Sequence, residues 1–489
     1  MHILFASSEV DPYAKTGGLA DVASALPKAL AARGHTLSVV LPFYQIVRDG
    51  DFALRDTGWS FSVPMEGRSE VAHILSSTEE ESGHTVYFVR NPRFFEQGDG
   101  IYGDEHGDYP NQCERFVFLC KATLELARKI GRPVDIIHAN DWQTALLPIY
   151  REAWYADSDI LGGAKSVFTV HNLAYQGGFP EDHFRLTGLP PEYYTAERGL
   201  EFFNYMSLLK GGLQFADAIT TVSPRYAREI QIEAFGCGLD GVLRTRSERL
   251  VGILNGIDED VWNPKKDPHI AAPFSAAKTA GKKKCKAELQ EICGFEQDPK
   301  VPLIGLISRL VDQKGLDLVA GAVSRLAGGP FQFVLLGTGA PKYHHYFKQW
   351  EARAPKQFRT FLTFDNVLAH KIEAGADLFL MPSRYEPCGL NQMYSLRYGT
   401  LPIVRETGGL ADTVVNYDPR NDEDKSANGF SFAPYTVDAL TDAIQRAFAI
   451  YPDRRTWLKL MKRGMRQDWS WDRSAALYEE LYQTVKTLA

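Results

Sequence analysis

Three stretches of this chain carry side chains whose types and spacing suit chemistry on a phosphorylated ligand. In Met381-Pro-Ser-Arg-Tyr-Glu-Pro-Cys-Gly-Leu390 a lone carboxylate, Glu386, stands beside Pro387 and Gly389, which stiffen and sharpen the turn that holds it. In Ser308-Arg-Leu-Val-Asp-Gln-Lys-Gly315, Arg309 and Lys314 put two cations on one loop. Arginine offers a planar fork and lysine a point charge, a pairing suited to a diphosphate. In Lys15-Thr-Gly-Gly-Leu-Ala-Asp21, two glycines let backbone N–H groups approach a ligand closely, and Lys15 adds a full positive charge. The string Thr-Gly-Gly-Leu-Ala-Asp returns at 407–412. Each stretch also has a plainer reading. Glu386 can be a surface acid paired to Arg384 or Arg397, the two cations can salt-bridge Asp312 or Asp317, and the repeated turn can be shared geometry of two related halves.

The elements that must position these groups read as alternating strands and helices. His2–Ser7 is a short apolar strand, Leu19–Arg33 an amphipathic helix and Leu37–Leu41 a second strand, so the first glycine pair lies on a strand-to-helix turn. Leu378–Met381 is an unbroken apolar run of the kind buried on both faces of a parallel sheet, and Leu390–Tyr398 is helical. Glu386 therefore sits at the carboxyl end of a strand, the edge where open α/β sheets bind ligands. Leu303–Ile307, Phe331–Leu336, Phe361–Phe364 and Leu401–Val404 supply further strands or strand ends, and Trp469–Leu488 reads as a last helix.

Other polar and aromatic residues gather at strand ends in the first half. Val134–His138 reads as a strand followed by Asp141 and Trp142, and Ser166–Val170 as one followed by His171, Asn172 and Tyr175. The strand Ala218–Val222 leads to Ser223-Pro224, a step that can start a helix. Between 52 and 89 three alternating runs suggest added strands or hairpins, and 90–112 reads as a long surface loop whose Tyr102 and Tyr109 are suited to stacking on sugar rings. Residues 263–275 read as a linker or surface excursion, and Lys282-Lys-Lys284 as a solvated helix start.

With 489 residues the chain is too long for one core and is expected to form two domains. The boundary is placed at 250/251, where Leu250–Gly256 reads as the last strand and exit of the first; residues 251–465 form the second, and a helix over about 466–489 returns to the first. Lys+Arg 54 against Asp+Glu 61 gives a net charge of −7, which argues against a polyanionic partner such as nucleic acid. The six cysteines include no Cys-x-x-Cys pair, and the histidines show no ligand spacing, so no metal is expected. No segment has the length of a membrane span, and a reduced, cytoplasmic protein is expected.

Taken together, Lys15–Asp21, His171-Asn-Leu-Ala-Tyr-Gln176, Ser308-Arg-Leu, Gln313-Lys-Gly, Arg384–Leu390 and Thr407-Gly-Gly-Leu410 resemble the bacterial glycogen synthases and plant-type starch synthases, in order from residue 2 to about 485. The resemblance implies an α/β GT-B architecture, two Rossmann-like domains facing across a cleft. It implies retaining transfer of glucose from ADP-glucose to the nonreducing 4-hydroxyl of an α-1,4-glucan (glycogen, starch or malto-oligosaccharide), with no metal or cofactor and no membrane. By position it assigns Arg309 and Lys314 to the diphosphate and the leaving ADP, and Lys15, Gly17 and Gly18 to the donor's distal phosphate or sugar. Glu386 takes the glucose hydroxyls, Cys388, Gly389 and Leu390 shape the pocket, and His171 lies against the reacting sugar. Thr407, Gly408 and Gly409 meet the donor through the backbone, and Phe364 stacks on adenine. Asp21, Asp141 and Asn255 line the cleft, with Tyr102, Trp142, Asn172 and Tyr175 on the acceptor side. No oligomeric state follows.

Three positions depart from the family pattern. Asn391 stands where Thr or Ile is usual, Thr363-Phe364 where Gly-Tyr is frequent, and Gly337-Thr-Gly-Ala-Pro341 lacks the acid usual after its second glycine. Many other retaining GT-B transferases carry a second Glu eight positions after the first; here that position is Tyr394, as in glycogen synthases. Glycosidases flank the scissile bond with two carboxylates. No second carboxylate or nucleophile stands out in this sequence, which favours front-side attack. Three other readings stay open: a UDP-glucose transferase with a small acceptor, a noncatalytic glucan-binding protein, and a Rossmann oxidoreductase. The last is disfavoured by the lack of a full Gly-x-Gly-x-x-Gly after the first strand.

Overall fold

A computed structural model describes residues 1–79, 84–420 and 426–487, and the chain divides into two units. Unit 1 comprises Met1–Val222, Ala227–Gly256 and Trp471–Ala489; unit 2 comprises Ser223–Tyr226 and Ile257–Ser470.

Unit 1 is built on a sheet with nine strands among the described residues: β1 (His2–Ala6), β2 (Thr36–Pro42), β3 (Arg55–Met65), β4 (Arg68–Glu79), β5 (His84–Arg90), β6 (Ile136–Asn140), β7 (Lys165–Val170), β8 (Ala218–Thr221) and β9 (Leu250–Gly252). Their order is β9-β8-β7-β6-β1-β2-β5-β4-β3, parallel throughout except for the antiparallel β4. Burial on both faces explains the unbroken apolar runs: Ile3, Leu4 and Phe5 are 0% exposed, as are Ile136 and Ile137. The chain moves outward from β1 in both directions, so the loops after β1 and β6 open at a topological switch point. The first glycine pair lies there, leading into α1 (Gly18–Ala32).

The C-terminal helix Trp471–Thr487 packs against α1. Arg33 reaches Asp472 at 3.0 Å and Glu479 at 2.8 Å, while the Ser474 hydroxyl donates to Leu254 O at 2.6 Å. The expected helix also included Leu488, which lies outside the described residues.

Several expectations need correction. The strand read at Val134–His138 runs two residues later, because Asn140 still belongs to the ladder and its side chain donates to Ala6 O at 3.0 Å. His138 is therefore inside the strand and 0% exposed, with Nδ1 2.7 Å from the Tyr482 hydroxyl and Nε2 2.7 Å from the Thr169 hydroxyl. It is a structural residue. The stretch 90–112 is only partly a surface loop. Pro92–Phe95 forms a helical turn that buries Phe94 and Phe95 beside α2 (Gln112–Ile130). Tyr109 is buried with the Arg115 guanidinium 4.9 Å from its ring centroid, so it is not a free stacking platform.

Unit 2 carries a six-stranded, wholly parallel sheet among the described residues, with strands β10 (Leu303–Ile307), β11 (Gln332–Leu336), β12 (Phe358–Phe361), β13 (Leu378–Met381), β14 (Leu401–Arg405) and β15 (Phe430–Phe432). The order β12-β11-β10-β13-β14-β15 reverses between β10 and β13, which makes their carboxyl ends the switch point of this unit. Residues 263–275 are anchored to the unit's core. Asp267 accepts from the Tyr398 hydroxyl at 2.6 Å and lies 2.7 Å from His370 Nδ1, and Phe274 is 3% exposed. Trp262, just before them, stacks on His370 at 3.9 Å. In α3 (Ala280–Ile292) Lys282 is buried, and its ammonium donates to Ala374 O and the Thr400 hydroxyl. The basic cluster is thus solvated only in part. The buried lysine meets oxygens more than 90 residues away, which local charge pattern does not reveal.

Candidate functional site

At the β10/β13 switch point of unit 2 lies a cavity of about 180 Å³, room for on the order of ten waters. It is lined by the residues leaving β10, including Ser308, Arg309 and Lys314, and those leaving β13, including Ser383, Glu386, Gly389, Leu390 and Asn391. Glu386 is 6% exposed, and both its carboxylate oxygens accept from Lys314 Nζ, at 2.7 and 3.0 Å. The Ser383 hydroxyl donates to one of them at 2.8 Å. The plainer pairings do not occur: Arg384 approaches Asp317 at 3.6 Å, Arg397 approaches Glu259 at 3.4 Å, and Asp312 is 2.5 Å from Lys342. Arg309 is exposed and its side chain makes no ion pair or hydrogen bond among the described residues. A bound carboxylate partner and a nearby unpaired guanidinium leave this cavity with one net cation.

The backbone around Glu386 is held by close approach. A Cβ on Gly408 would stand 1.9 Å from Glu386 O and one on Gly409 2.1 Å from Cys388 O, so only glycines let this turn reach the Glu386 loop. Gly409 N–H donates to Glu386 O at 3.2 Å and to Pro387 O at 3.1 Å, and Thr407 N–H to Arg405 O at 2.9 Å. The N–H groups of Thr407 and Gly409 are thus spent inside the protein, and the turn braces the carboxylate loop. The Ser223 hydroxyl donates to Pro387 O at 2.5 Å. Cys388 is buried behind the loop, and Phe364, past the end of β12, is 86% exposed.

In unit 1 the structure brings a different set together at the β1/β6 switch point. Lys15 pairs with Asp21 at 2.6 Å and lies 3.8 Å from Asp11. The sequence reading missed Glu9, which is 4% exposed and accepts from Thr16 N–H at 2.6 Å, the Thr16 hydroxyl at 2.7 Å, Gly17 N–H at 3.1 Å and the Tyr102 hydroxyl at 2.7 Å. Gly17 thus presents its N–H to a carboxylate of its own chain, and Gly18 begins α1. Tyr102 anchors this turn through its hydroxyl, which also lies 2.8 Å from Ser8 Oγ. A carboxylate followed seven and eight residues later by a glycine turn was the available signal, but nothing local linked it to Tyr102.

Asp141 has a left-handed backbone (φ 55°), is 8% exposed and accepts from His171 N–H at 2.7 Å. His171 Nε2 lies 2.9 Å from Asn140 Oδ1. Because the Asn140 amide nitrogen already donates to Ala6 O, its oxygen must accept, which puts the imidazole proton on Nε2 and leaves Nδ1 bare. Burial pushes His171 down to about 3, so the ring is neutral at neutral pH. Asn172 Oδ1 accepts from Ala174 N–H at 3.1 Å, and Tyr175 is 54% exposed. Trp142 packs edge-on against Phe116 and Phe179, with centroids 5.0 and 5.8 Å away. Asn255 is 6% exposed, and its Oδ1 is buried without a hydrogen-bond partner.

Burial pushes the Asp141 carboxyl up to about 7, opposed by the backbone N–H groups of His171 and Asn172. A carboxyl raised in the folded state stabilises the fold fully below the unfolded value near 4, and that contribution is lost as pH rises toward 7. Asparagine keeps an acceptor for His171 N–H and, being the same size and shape as aspartate, adds no new demand on the positive-φ backbone. Asp141→Asn is therefore expected to gain stability relative to the parent as pH goes from 4 to 8, by at most about 4 kcal/mol, read as a growing difference in melting temperature. Thermal scans across that range check it, and a difference that does not change with pH counts against the assignment.

Among the described residues no three His, Cys, Asp or Glu side chains gather to hold a metal, and no helix is long and apolar enough to cross a membrane. Two α/β units on largely parallel sheets make up the two-domain fold of the GT-B class, and unit 2 gathers a lysine-held carboxylate and an unpaired arginine around a cavity at its strand-order reversal. The starch synthase catalytic domain family matches residues 2–245, and glycosyl transferases group 1 matches residues 293–461. Glycogen synthase from Anaeromyxobacter sp. (strain Fw109-5) is 47% identical over 485 residues, covering 99% of each chain. Glycogen synthase 2 from Geobacter sulfurreducens is 44% identical over 99% of this chain and 98% of its own. The catalytic domain of starch synthase IV from Arabidopsis thaliana, bound to ADP and acarbose, superposes with a TM-score of 0.91 at 35% identity, covering 100% of this chain and 99% of that one. The chain belongs to the glycogen synthase and starch synthase family, the retaining glucosyltransferases that lengthen α-1,4-glucans from ADP-glucose.

Proposed function

We propose that the unit 2 cavity is the donor pocket and that its charged groups divide the work of transfer. Arg309 and Lys314 hold the diphosphate, and Glu386 takes hydroxyls of the glucose. As the bond from the anomeric carbon to the phosphate oxygen breaks, negative charge grows on the departing ADP and positive character on the sugar ring. Cations already in place at the phosphate lower that barrier, because their interaction strengthens only as the charge develops. The acceptor's 4-hydroxyl oxygen attacks from the face the phosphate leaves, and its proton passes to a phosphate oxygen of ADP. Neutral His171, with its Nε2 proton committed to Asn140, is suited to stand against the reacting sugar without adding charge. Lys15, Gly18 and the buried, unpaired Asn255 oxygen serve the donor, while Asp21, Trp142, Asn172 and Tyr175 serve the glucan.

One observation carries this reading: the Glu386 to Lys314 pair and the unpaired Arg309 surround a single cavity at the switch point. The donor nucleotide is ADP, the acceptor a glycogen, starch or malto-oligosaccharide chain end, no metal or other cofactor takes part, and the enzyme works in the cytoplasm. Supplying ADP-glucose or UDP-glucose with glycogen, and measuring nucleotide release together with chain lengthening, tests it. ADP release coupled to longer chains is expected. Preferential use of UDP-glucose, or binding of glycogen with no turnover of either donor, overturns the reading.

A further inference from the structure

We infer that Asn391 and Ser308 together read one hydroxyl of the donor's hexose and so help decide which sugar is transferred. This rests on the reading of the unit 2 cavity as the donor pocket. Both residues line that cavity. Asn391 opens the helix Asn391–Arg397, and its side-chain nitrogen donates to Ile307 O at 2.9 Å. A carbonyl oxygen only accepts, so this bond fixes which way round the amide sits and leaves Oδ1 as the free end. That oxygen makes no hydrogen bond among the described residues. Ser308 follows Ile307 directly, and its hydroxyl oxygen is buried with no hydrogen-bond partner. A buried polar atom left unpaired calls for an explanation, and the free amide oxygen of partly buried Asn391 on the same cavity wall points to a shared ligand group.

The chemistry of the pair selects that group. Asn391 Oδ1 can only accept, whereas the Ser308 hydroxyl can donate. A sugar hydroxyl is complementary to both at once, donating to Asn391 and accepting from Ser308. A phosphate oxygen without a proton cannot donate to Asn391 and meets an oxygen dipole of the wrong sign. The diphosphate is thereby left to Arg309 and Lys314, and the pair is assigned to the hexose. Sites built to bond a hydroxyl discriminate strongly against analogues that lack it, because the protein groups are then stranded without partners.

The test measures kcat/KM with glycogen for ADP-glucose and its 2-, 3-, 4- and 6-monodeoxy analogues, in the parent enzyme, Asn391→Ala and Ser308→Ala. For one analogue the parent is expected to lose about tenfold or more relative to ADP-glucose. Both variants should lose that discrimination at the same sugar position while keeping the parent's ranking of the other three analogues. Ser308→Ala removes a single oxygen and carries the test if Asn391→Ala folds poorly. Variants that keep the parent's full discrimination against every analogue, or that weaken all five donors equally, overturn the inference while leaving the donor pocket intact. Failure of the parent to use ADP-glucose overturns the donor reading itself.

Discussion

Replacing Glu386 with alanine is expected to lower kcat by about 10³-fold while the folded state survives. The expectation follows from what the carboxylate touches. It is 6% exposed, spanned by Lys314 and capped by the Ser383 hydroxyl, so its position is fixed before any donor arrives. Preorganised polar groups aimed at the reacting sugar contribute roughly 10² to 10³ each in turnover, and the alanine variant also lets Lys314 swing from its place. The fold is expected to hold because the loop's backbone is braced independently, by Gly409 N–H on Glu386 O and Pro387 O and by Ser223 on Pro387 O. Glu386→Gln keeps the shape and one acceptor but not the charge that Lys314 pairs with, and should recover little. Single-turnover rates with ADP-glucose and glycogen, beside a melting curve, check both halves. Near-parent turnover in the alanine variant would mean that the hexose sits elsewhere.

Why Glu386 could be found from the chain alone, and Glu9 could not, is a matter of distance along the sequence. The apolar run of β13, the proline and glycine after it, and the helical pattern beyond all lie within about 20 residues of Glu386, so its place at a strand end was legible. The same local logic located the strand ends bearing Arg309, Lys15 and His171. What stayed hidden depends on partners far off in the chain. Tyr102 reaches Glu9 across 93 residues, Asp267 meets Tyr398 across 131, and Lys282 finds Thr400 across 118. A segment read as a linker, and one lysine of a basic cluster read as solvated, are tied into buried networks for that reason. The repeated Thr-Gly-Gly is the instructive case. Its recurrence was visible, but the two copies do different things: the first lends Gly17 N–H to Glu9, and the second presses two glycines against the Glu386 loop.

The two cations of the donor pocket are expected to separate when each is removed. Arg309 makes no side-chain hydrogen bond or ion pair among the described residues, so Arg309→Ala takes nothing from the folded state and should leave the melting temperature within about a degree of the parent. Its cost is expected in catalysis, about 10² to 10³-fold in kcat/KM, because a guanidinium fork on the leaving diphosphate acts as the charge develops. Arg309→Lys keeps the charge but loses the paired donors, and should recover only part of that loss. Lys314 answers to two demands. Its Nζ is the cation beside a carboxylate whose side chain is 8% exposed, so Lys314→Ala strands Glu386 as well as weakening the phosphate grip. Removing one member of a buried pair costs about 3–5 kcal/mol; since Lys314 is itself 20% exposed and the cavity admits water, a loss nearer 1–2 kcal/mol is expected here. The double variant with Glu386→Ala should restore part of the stability that Lys314→Ala loses and none of its turnover, because the stranded charge is gone while the chemistry is not repaired. Equal melting temperatures for the Arg309 and Lys314 variants would show that the ion pair seen here does not persist in solution. A parent-like kcat/KM for Arg309→Ala would remove the diphosphate from this wall of the cavity.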